Sequence, residues 1–200
     1  MERTTFSTHK IAVFSSGLSR GSNLSAMHSY FTENKLPIEI ALVIFTRPDA
    51  PAVQLAKNLG LHYQIVAAHN MPSFESKVLE LCQQNKIELI ALAGFMKKLS
   101  QTFLEQINIP VMNIHPALLP KYGGAGMYGM AVHNAVFAAQ EKESGVTIHL
   151  VDPQYDHGNI IAQETITIQD CNSPEEIAEK VLKTEHSTYA KTIYQLLSKR

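Results

Sequence analysis

Ile11-Ala12-Val13-Phe14-Ser15-Ser16-Gly17-Leu18-Ser19-Arg20-Gly21-Ser22-Asn23 reads as an apolar run that breaks into a Ser/Gly-rich loop, with a helical pattern starting where the loop ends. A strand that feeds a loop and then a helix is the opening of a βαβ unit. Outward from it, short apolar runs, several rich in Val and Ile, recur at Ile38–Phe45, Tyr63–Val66, Ile87–Ala93 and Val111–Ile114. Between them, Asn23–Asn34, Ala50–Leu59, Ser73–Asn85 and Gly129–Gln140 space apolar residues three or four apart, and Ser100–Gln106 reads as a shorter helix. The alternation predicts an α/β fold: a Rossmann-like, mostly parallel twisted sheet flanked by helices.

The pattern changes after Gly145. Val146–Val151 and Asn159–Ile168 are β-branched runs joined by the polar loop Asp152–Gly158, which predicts an antiparallel extension of the sheet. Asn172-Ser173-Pro174-Glu175-Glu176 then offers a capping residue, a first-turn proline and acids at a helix start, so a long C-terminal helix should run through Leu197. With no repeat, low-complexity tract or linker, residues 1–200 read as one domain, with residues 1–9 as a poorly ordered N-terminal extension.

Composition narrows the function classes. In 200 residues, 45% are hydrophobic, enough for a core without disulfides or metal. The 17 basic and 18 acidic residues leave a net charge of −1 without long runs of either sign, which argues against a nucleic-acid or anionic-membrane partner. Cys82 and Cys171 lie outside any CxxC or Cys/His ligand spacing, and the other histidines, including His62, His69, His133, His149 and His157, show no metal-ligand pattern. The two isolated cysteines point to a reduced cytoplasm, and a polar N-terminus with no apolar span of about 20 residues to a soluble, unprocessed protein.

Three segments carry candidate chemistry. The loop ending at Gly21-Ser22-Asn23 can offer backbone N–H groups at a helix start to a phosphate. It matches neither GxGxxG nor GxxxxGK[ST], so a single phosphate suits it better than a dinucleotide or triphosphate; a plain strand-to-helix turn is the alternative. In Val111-Met112-Asn113-Ile114-His115-Pro116, period-2 alternation sends Asn113 and His115 to one side, and Pro116 ends the strand so that both reach its C-terminal mouth. An amide N–H₂ can stabilise an oxyanion and an imidazole can manage protons, which suits acyl transfer. Asp156, in the Asp152–Gly158 loop, is placed to approach His115, to fix its tautomer or to raise its pKa; the alternative is a turn former.

Gly21-Ser22-Asn23, Ala93-Gly94-Phe95-Met96, Asn113-Ile114-His115-Pro116-Ala117-Leu118-Leu119-Pro120-Lys121-Tyr122, Asp156-x-Gly158 and Glu185-His186 together resemble the phosphoribosylglycinamide formyltransferases, in the family's order and over nearly the whole chain. The resemblance implies transfer of a formyl group from 10-formyltetrahydrofolate, as co-substrate, to the amine of glycinamide ribonucleotide, without metal. It implies that Asn113, His115 and Asp156 are catalytic, that Gly21, Ser22, Asn23 and Glu185 hold the ribonucleotide, and that Met96, Lys97, Lys98, Leu99, Asn113, Asp152 and Tyr155 contact the folate. It also implies a cis Leu119-Pro120 peptide and a monomer or weak homodimer.

The chain departs from the family's pattern in three places. Lys121-Tyr122-Gly123-Gly124-Ala125-Gly126-Met127-Tyr128 stands where the family often writes Lys-Tyr-Pro-Gly, Met71 stands where it often carries a basic residue, and Ser15–Arg20 is longer than its usual lead into Gly-Ser-Asn. Arg20 there is either an added phosphate contact or an exposed arginine. The rival readings are formyltetrahydrofolate deformylase, for which the residues before Lys10 leave no room for the usual N-terminal domain, methionyl-tRNA formyltransferase, and a non-catalytic nucleotide- or folate-binding module.

Overall fold

The computed structural model describes residues 8–16 and 19–199. The strands are β1 (His9–Ser15), β2 (Ile38–Phe45), β3 (Tyr63–Ile65), β4 (Leu89–Leu92), β5 (Val111–His115), β6 (Glu143–Leu150) and β7 (Ile160–Thr167). The helices are α1 (Ser22–Glu33), α2 (Pro51–Asn58), α3 (Met71–Gln84), α4 (Gln101–Ile107), α5 (Met130–Ala138) and α6 (Pro174–Leu197). Every element read from the sequence is present, with ends moved by a few residues.

One sheet runs β3-β2-β1-β4-β5-β6-β7. The pairs from β3 to β5 are parallel. The β5–β6 and β6–β7 pairs are antiparallel, as the change of pattern after Gly145 predicts. Alternate residues of the central strands feed two separate cores: Ile11, Val13, Val43 and Met112 face one cluster, while Ala12, Phe14, Leu42 and Ile90 face the other. Both faces are covered, so these strands read as continuous apolar runs rather than as alternating ones.

Several boundaries differ for local reasons. His9 belongs to β1, with its N–H bonded to the Pro37 carbonyl at 2.8 Å, so the predicted extension over residues 1–9 is corrected at its last residue; residues 1–7 lie outside the described residues. Helix α3 begins at Met71, two residues before the predicted start, because the Asn70 side chain accepts the Ser73 N–H and Pro72 fits the first turn. Strand β6 begins at Glu143 and runs through Gly145, where a Cβ would lie 2.0 Å from the Glu164 carbonyl oxygen of β7. Glycine there permits pairing that any side chain would block.

Helix α6 is fastened to the sheet's active end. Its Tyr189 is fully buried, and the single hydroxyl hydrogen is shared between the carbonyls of Leu92, the last residue of β4, at 3.1 Å and Met112, the second residue of β5, at 2.9 Å. Among the described residues no helix is long and apolar enough to cross a membrane.

Candidate active site

Strand β1 has β2 on one side and β4 on the other, so the chain reverses its direction of travel across the sheet between them. The crevice above the carboxyl ends of strands at such a switch point is where open α/β sheets bind ligands. A cavity of about 450 Å³ lies there, and Gly21, Ser22, Asn23, Asn113, His115 and Asp156 all line it. Elements 162 residues apart in the chain meet at one wall, where the Asn23 Nδ2 donates to Glu185 Oε2 at 2.7 Å.

The α1 end of the cavity is built on Gly21, whose φ of +80° and packing against Leu55 and Ala52 leave no room for a side chain. The first N–H groups of α1 have no intrahelical acceptors, as at any helix start, and the residues there, Gly21, Ser22 and Asn23, line the cavity. Gly17 and Leu18, in the longer lead into this turn, lie outside the described residues, and Arg20 is exposed and does not line the cavity.

Glu185 is 9% exposed, and burial pushes its carboxyl from the ordinary 4.5 up to about 7 despite the Asn23 hydrogen bond, which acts downward. The folded state therefore holds a proton that the unfolded chain loses near 4.5. The associated stability is complete below that pH and is lost as pH rises through about 7. Glu185→Gln should match the parent near pH 4 and exceed it above pH 8 by on the order of 3 kcal/mol, a Tm gain of roughly 6–12 °C. Thermal unfolding across pH checks this; parallel pH profiles for the two proteins would show that Glu185 is not desolvated in this way.

Two polar pairs stand side by side on β5 and β6, where Asn113 is opposite His149 and His115 is opposite Thr147. The Asn113 Nδ2 lies 3.2 Å from His149 Nε2, and His149 Nδ1 lies 2.9 Å from the Leu150 carbonyl oxygen. Thr147 is fully buried; its hydroxyl donates to the Ala117 carbonyl at 2.7 Å and accepts the Leu119 N–H at 3.0 Å, which pins the turn containing the cis Leu119-Pro120 peptide. That cis bond is as the family resemblance implies.

His115 is 3% exposed, with Nε2 2.7 Å from the Tyr122 carbonyl oxygen and Nδ1 3.6 Å from Asp156 Oδ2. Burial pushes its pKa down, and the Asp156 charge and the Tyr122 carbonyl act upward without overcoming it. The expectation that Asp156 raises the histidine above its ordinary value is thus corrected: Asp156 acts in the expected direction, and desolvation outweighs it. Burial raises the Asp156 carboxyl, but the His149 and His115 rings and the Gly124 N–H, bonded at 2.9 Å, outweigh burial and leave it lowered. Asp156 has a φ of +58°, a left-handed conformation that Asp and Asn tolerate better than most residues.

A second, smaller cavity is lined by Lys97, Lys98, Leu99, Asp152 and Tyr155, and it shares Asn113, Tyr155 and Asp156 with the larger one. Met96 lines the larger cavity. The Lys98 ammonium lies 5.8 Å from the Tyr155 ring centre, linking the segment after β4 to the Asp152–Asp156 loop. Behind Leu99, buried Glu75 accepts both the Ser100 N–H and its hydroxyl at 2.6 Å. Met71 packs against the α3 core and lines neither cavity. Among the described residues no group of three or more His, Cys, Asp or Glu side chains could hold a metal ion.

All the residues expected from the sequence therefore gather at one end of the sheet, the ribonucleotide set in one lobe and most of the folate set in the other. Sequence reading passed over two histidines. His149 carried a visible signal, since Thr147 and His149 repeat on β6 the i, i+2 polar spacing of Asn113 and His115 on β5. His133, on the first turns of α5, is 6% exposed, lines the larger cavity, and has a buried Nδ1 without a partner; burial, then the His115 charge, lower its pKa. It sits within an apolar helical stripe and carries no sequence signal.

An α/β sheet with an amide, an imidazole and a carboxylate converging on a switch-point crevice fits the formyl transferase family, which matches this chain over residues 9–193. The chain is 35% identical to the phosphoribosylglycinamide formyltransferase of Bacillus subtilis over 191 residues, 94% of each protein. It is 31% identical to the chloroplastic enzyme of that name from Arabidopsis thaliana over 195 residues, 96% of this chain, and spans 66% of that relative's length. The crystal structure of phosphoribosylglycinamide formyltransferase from Bacillus halodurans superposes with a TM-score of 0.84 at 32% identity, covering 95% of this chain and 96% of that one. The chain belongs to the phosphoribosylglycinamide formyltransferase family.

Proposed function

We propose that this chain transfers the formyl group of 10-formyltetrahydrofolate to the amine of glycinamide ribonucleotide, yielding the formylated ribonucleotide and tetrahydrofolate in purine synthesis. The observation that carries this reading is the meeting of two cavities at Asn113 and Asp156, one opening onto the α1 N-terminus and the other onto Lys97–Leu99 and Tyr155. An anion held at the helix start and a flat apolar ligand held beside Leu99 would bring their reactive ends together at that junction.

The amine nitrogen attacks the formyl carbon, forming the C–N bond and leaving a tetrahedral oxyanion. The Asn113 amide N–H₂ donates to that oxygen. Collapse breaks the bond from carbon to the folate nitrogen, which takes up a proton as the attacking nitrogen gives one up. His115 is suited to carry that proton: the Tyr122 carbonyl can only accept, so Nε2 holds the hydrogen in the neutral ring and Nδ1 keeps a lone pair beside Asp156. A proton arriving at Nδ1 creates an imidazolium–carboxylate pair.

The co-substrate is the only cofactor this chemistry requires, and the partners are small molecules. The net charge of −1, without long runs of either sign, supports a protein without nucleic-acid or anionic-membrane partners; a cytoplasmic monomer or weak homodimer is part of the same proposal. Replacing Ser22 and Asn23 together by leucine should raise KM for the ribonucleotide by about tenfold or more while folate affinity changes little, the loss of one or two hydrogen bonds to a charged group. An unchanged ribonucleotide KM would remove the phosphate from this helix start.

A further inference from the structure

His149 is 2% exposed and lies between the catalytic amide and the backbone of its own strand. Its Nδ1 is 2.9 Å from the Leu150 carbonyl oxygen, which can only accept, so Nδ1 carries the ring hydrogen. In the neutral ring Nε2 is then an acceptor. The group 3.2 Å from it is the Asn113 amide, which must turn its N–H₂ toward the ring, since its carbonyl oxygen would face a lone pair. Asp156 Oδ1 lies farther from the same nitrogen, at 3.6 Å, beyond hydrogen-bond distance of the neutral ring, and would become its partner only in the protonated ring.

The fold places the ring there by two devices. Asn113 and His149 are directly opposed in the β5–β6 ladder, and on the other side of β6 the β7 strand skips Ile161 between its partners of Ile148 and His149, so the extra residue of a bulge lies on β7 beside this position. Bulges re-aim side chains and recur beside active sites.

We propose that His149 is a positioning residue for the reaction: held as the Nδ1–H tautomer by Leu150, it locks the Asn113 amide in one of its two orientations. One amide hydrogen is committed to His149, and the second remains as the donor for the developing oxyanion. Without that acceptor the amide is free to rotate and to present its carbonyl oxygen where a donor is needed. An imidazolium at His149 would set donor against donor and force the same reversal. The catalytic consequence rests on the formyl-transfer reading above; the tautomer and the amide orientation do not.

Nitrogen-15 NMR of the histidine-labelled wild-type protein near neutral pH tests the geometry without turnover. The expected spectrum has His149 protonated at Nδ1 and bare at Nε2, with a coupling across the hydrogen bond to the Asn113 Nδ2–H. A ring protonated at Nε2, or at both nitrogens, would overturn the proposal. In the transfer assay, His149→Leu should lose about two- to tenfold in kcat with the KM values of both substrates nearly constant, and His149→Gln, which restores an acceptor, should recover part of it. Equal losses in the two variants, or a loss confined to KM, would mark a packing role only. A protein with the expected tautomer but no transferase activity at all would instead refute the proposed reaction while leaving the amide lock standing.

Discussion

Alanine at His115 is expected to lower kcat by about 10²–10⁴-fold and alanine at Asn113 by about 10²–10³-fold, with both substrates still binding near their normal affinities. The size follows from the roles: one residue carries a proton and the other donates to an oxygen whose charge exists only in the tetrahedral state, so neither contributes much to ground-state binding. His115 is 3% exposed, and its removal leaves a cavity beside β6, so folding must be verified by thermal unfolding before rates are compared. Steady-state kinetics with each substrate varied in turn is the check. A folded variant with near-normal kcat would take that residue out of the chemistry. The two losses should also fail to add in the double variant, because both act on one intermediate.

Asp156→Asn should lower kcat by about 10²-fold or more, since the imidazolium formed at Nδ1 loses the carboxylate 3.6 Å away. Asparagine accepts the left-handed backbone found at Asp156, so the turn should survive and the change should be one of charge. Burial already holds the His115 pKa below its ordinary value, and Asp156 is the largest influence acting against burial. Removing it should shift His115 further down. In the parent, the acidic limb of the rate profile should fall below the ordinary histidine value near 6.5, and in Asp156→Asn it should move lower still while the plateau drops. NMR titration of His115 in both proteins reads the shift directly. An unchanged pKa and rate would leave Asp156 as a turn former.

The parts of the fold that sequence made legible are those written in periodicity. Strand β5 ends at Pro116 and its polar residues alternate, so the position and direction of Asn113 and His115 follow from local rules. The start of α6 follows from capping, since the Ser173 side chain accepts the Glu176 N–H; the same device at Asn70 and Ser100 was not read from the sequence, and Asn70 moves the α3 start to Met71. What stayed hidden depends on partners distant in the chain. The direction of the His115 pKa shift is set by how completely the ring is buried, which no local pattern states. The Glu75 clasp on Ser100 and the Asn23–Glu185 bond join residues 25 and 162 apart. His149 was visible as half of an i, i+2 polar pair, but its importance comes from lying opposite Asn113, and that depends on strand register.

The central claim, direct transfer between two small molecules bound in one crevice, is tested most sharply by incubating the protein with 10-formyltetrahydrofolate carrying a labelled formyl group, with and without glycinamide ribonucleotide. The account predicts label appearing in the ribonucleotide in step with tetrahydrofolate formation, and negligible tetrahydrofolate when the ribonucleotide is left out. Release of labelled formate at the same rate in both reactions would identify a hydrolase, and tight binding of both molecules without any product would identify a binding module; either result would contradict the account.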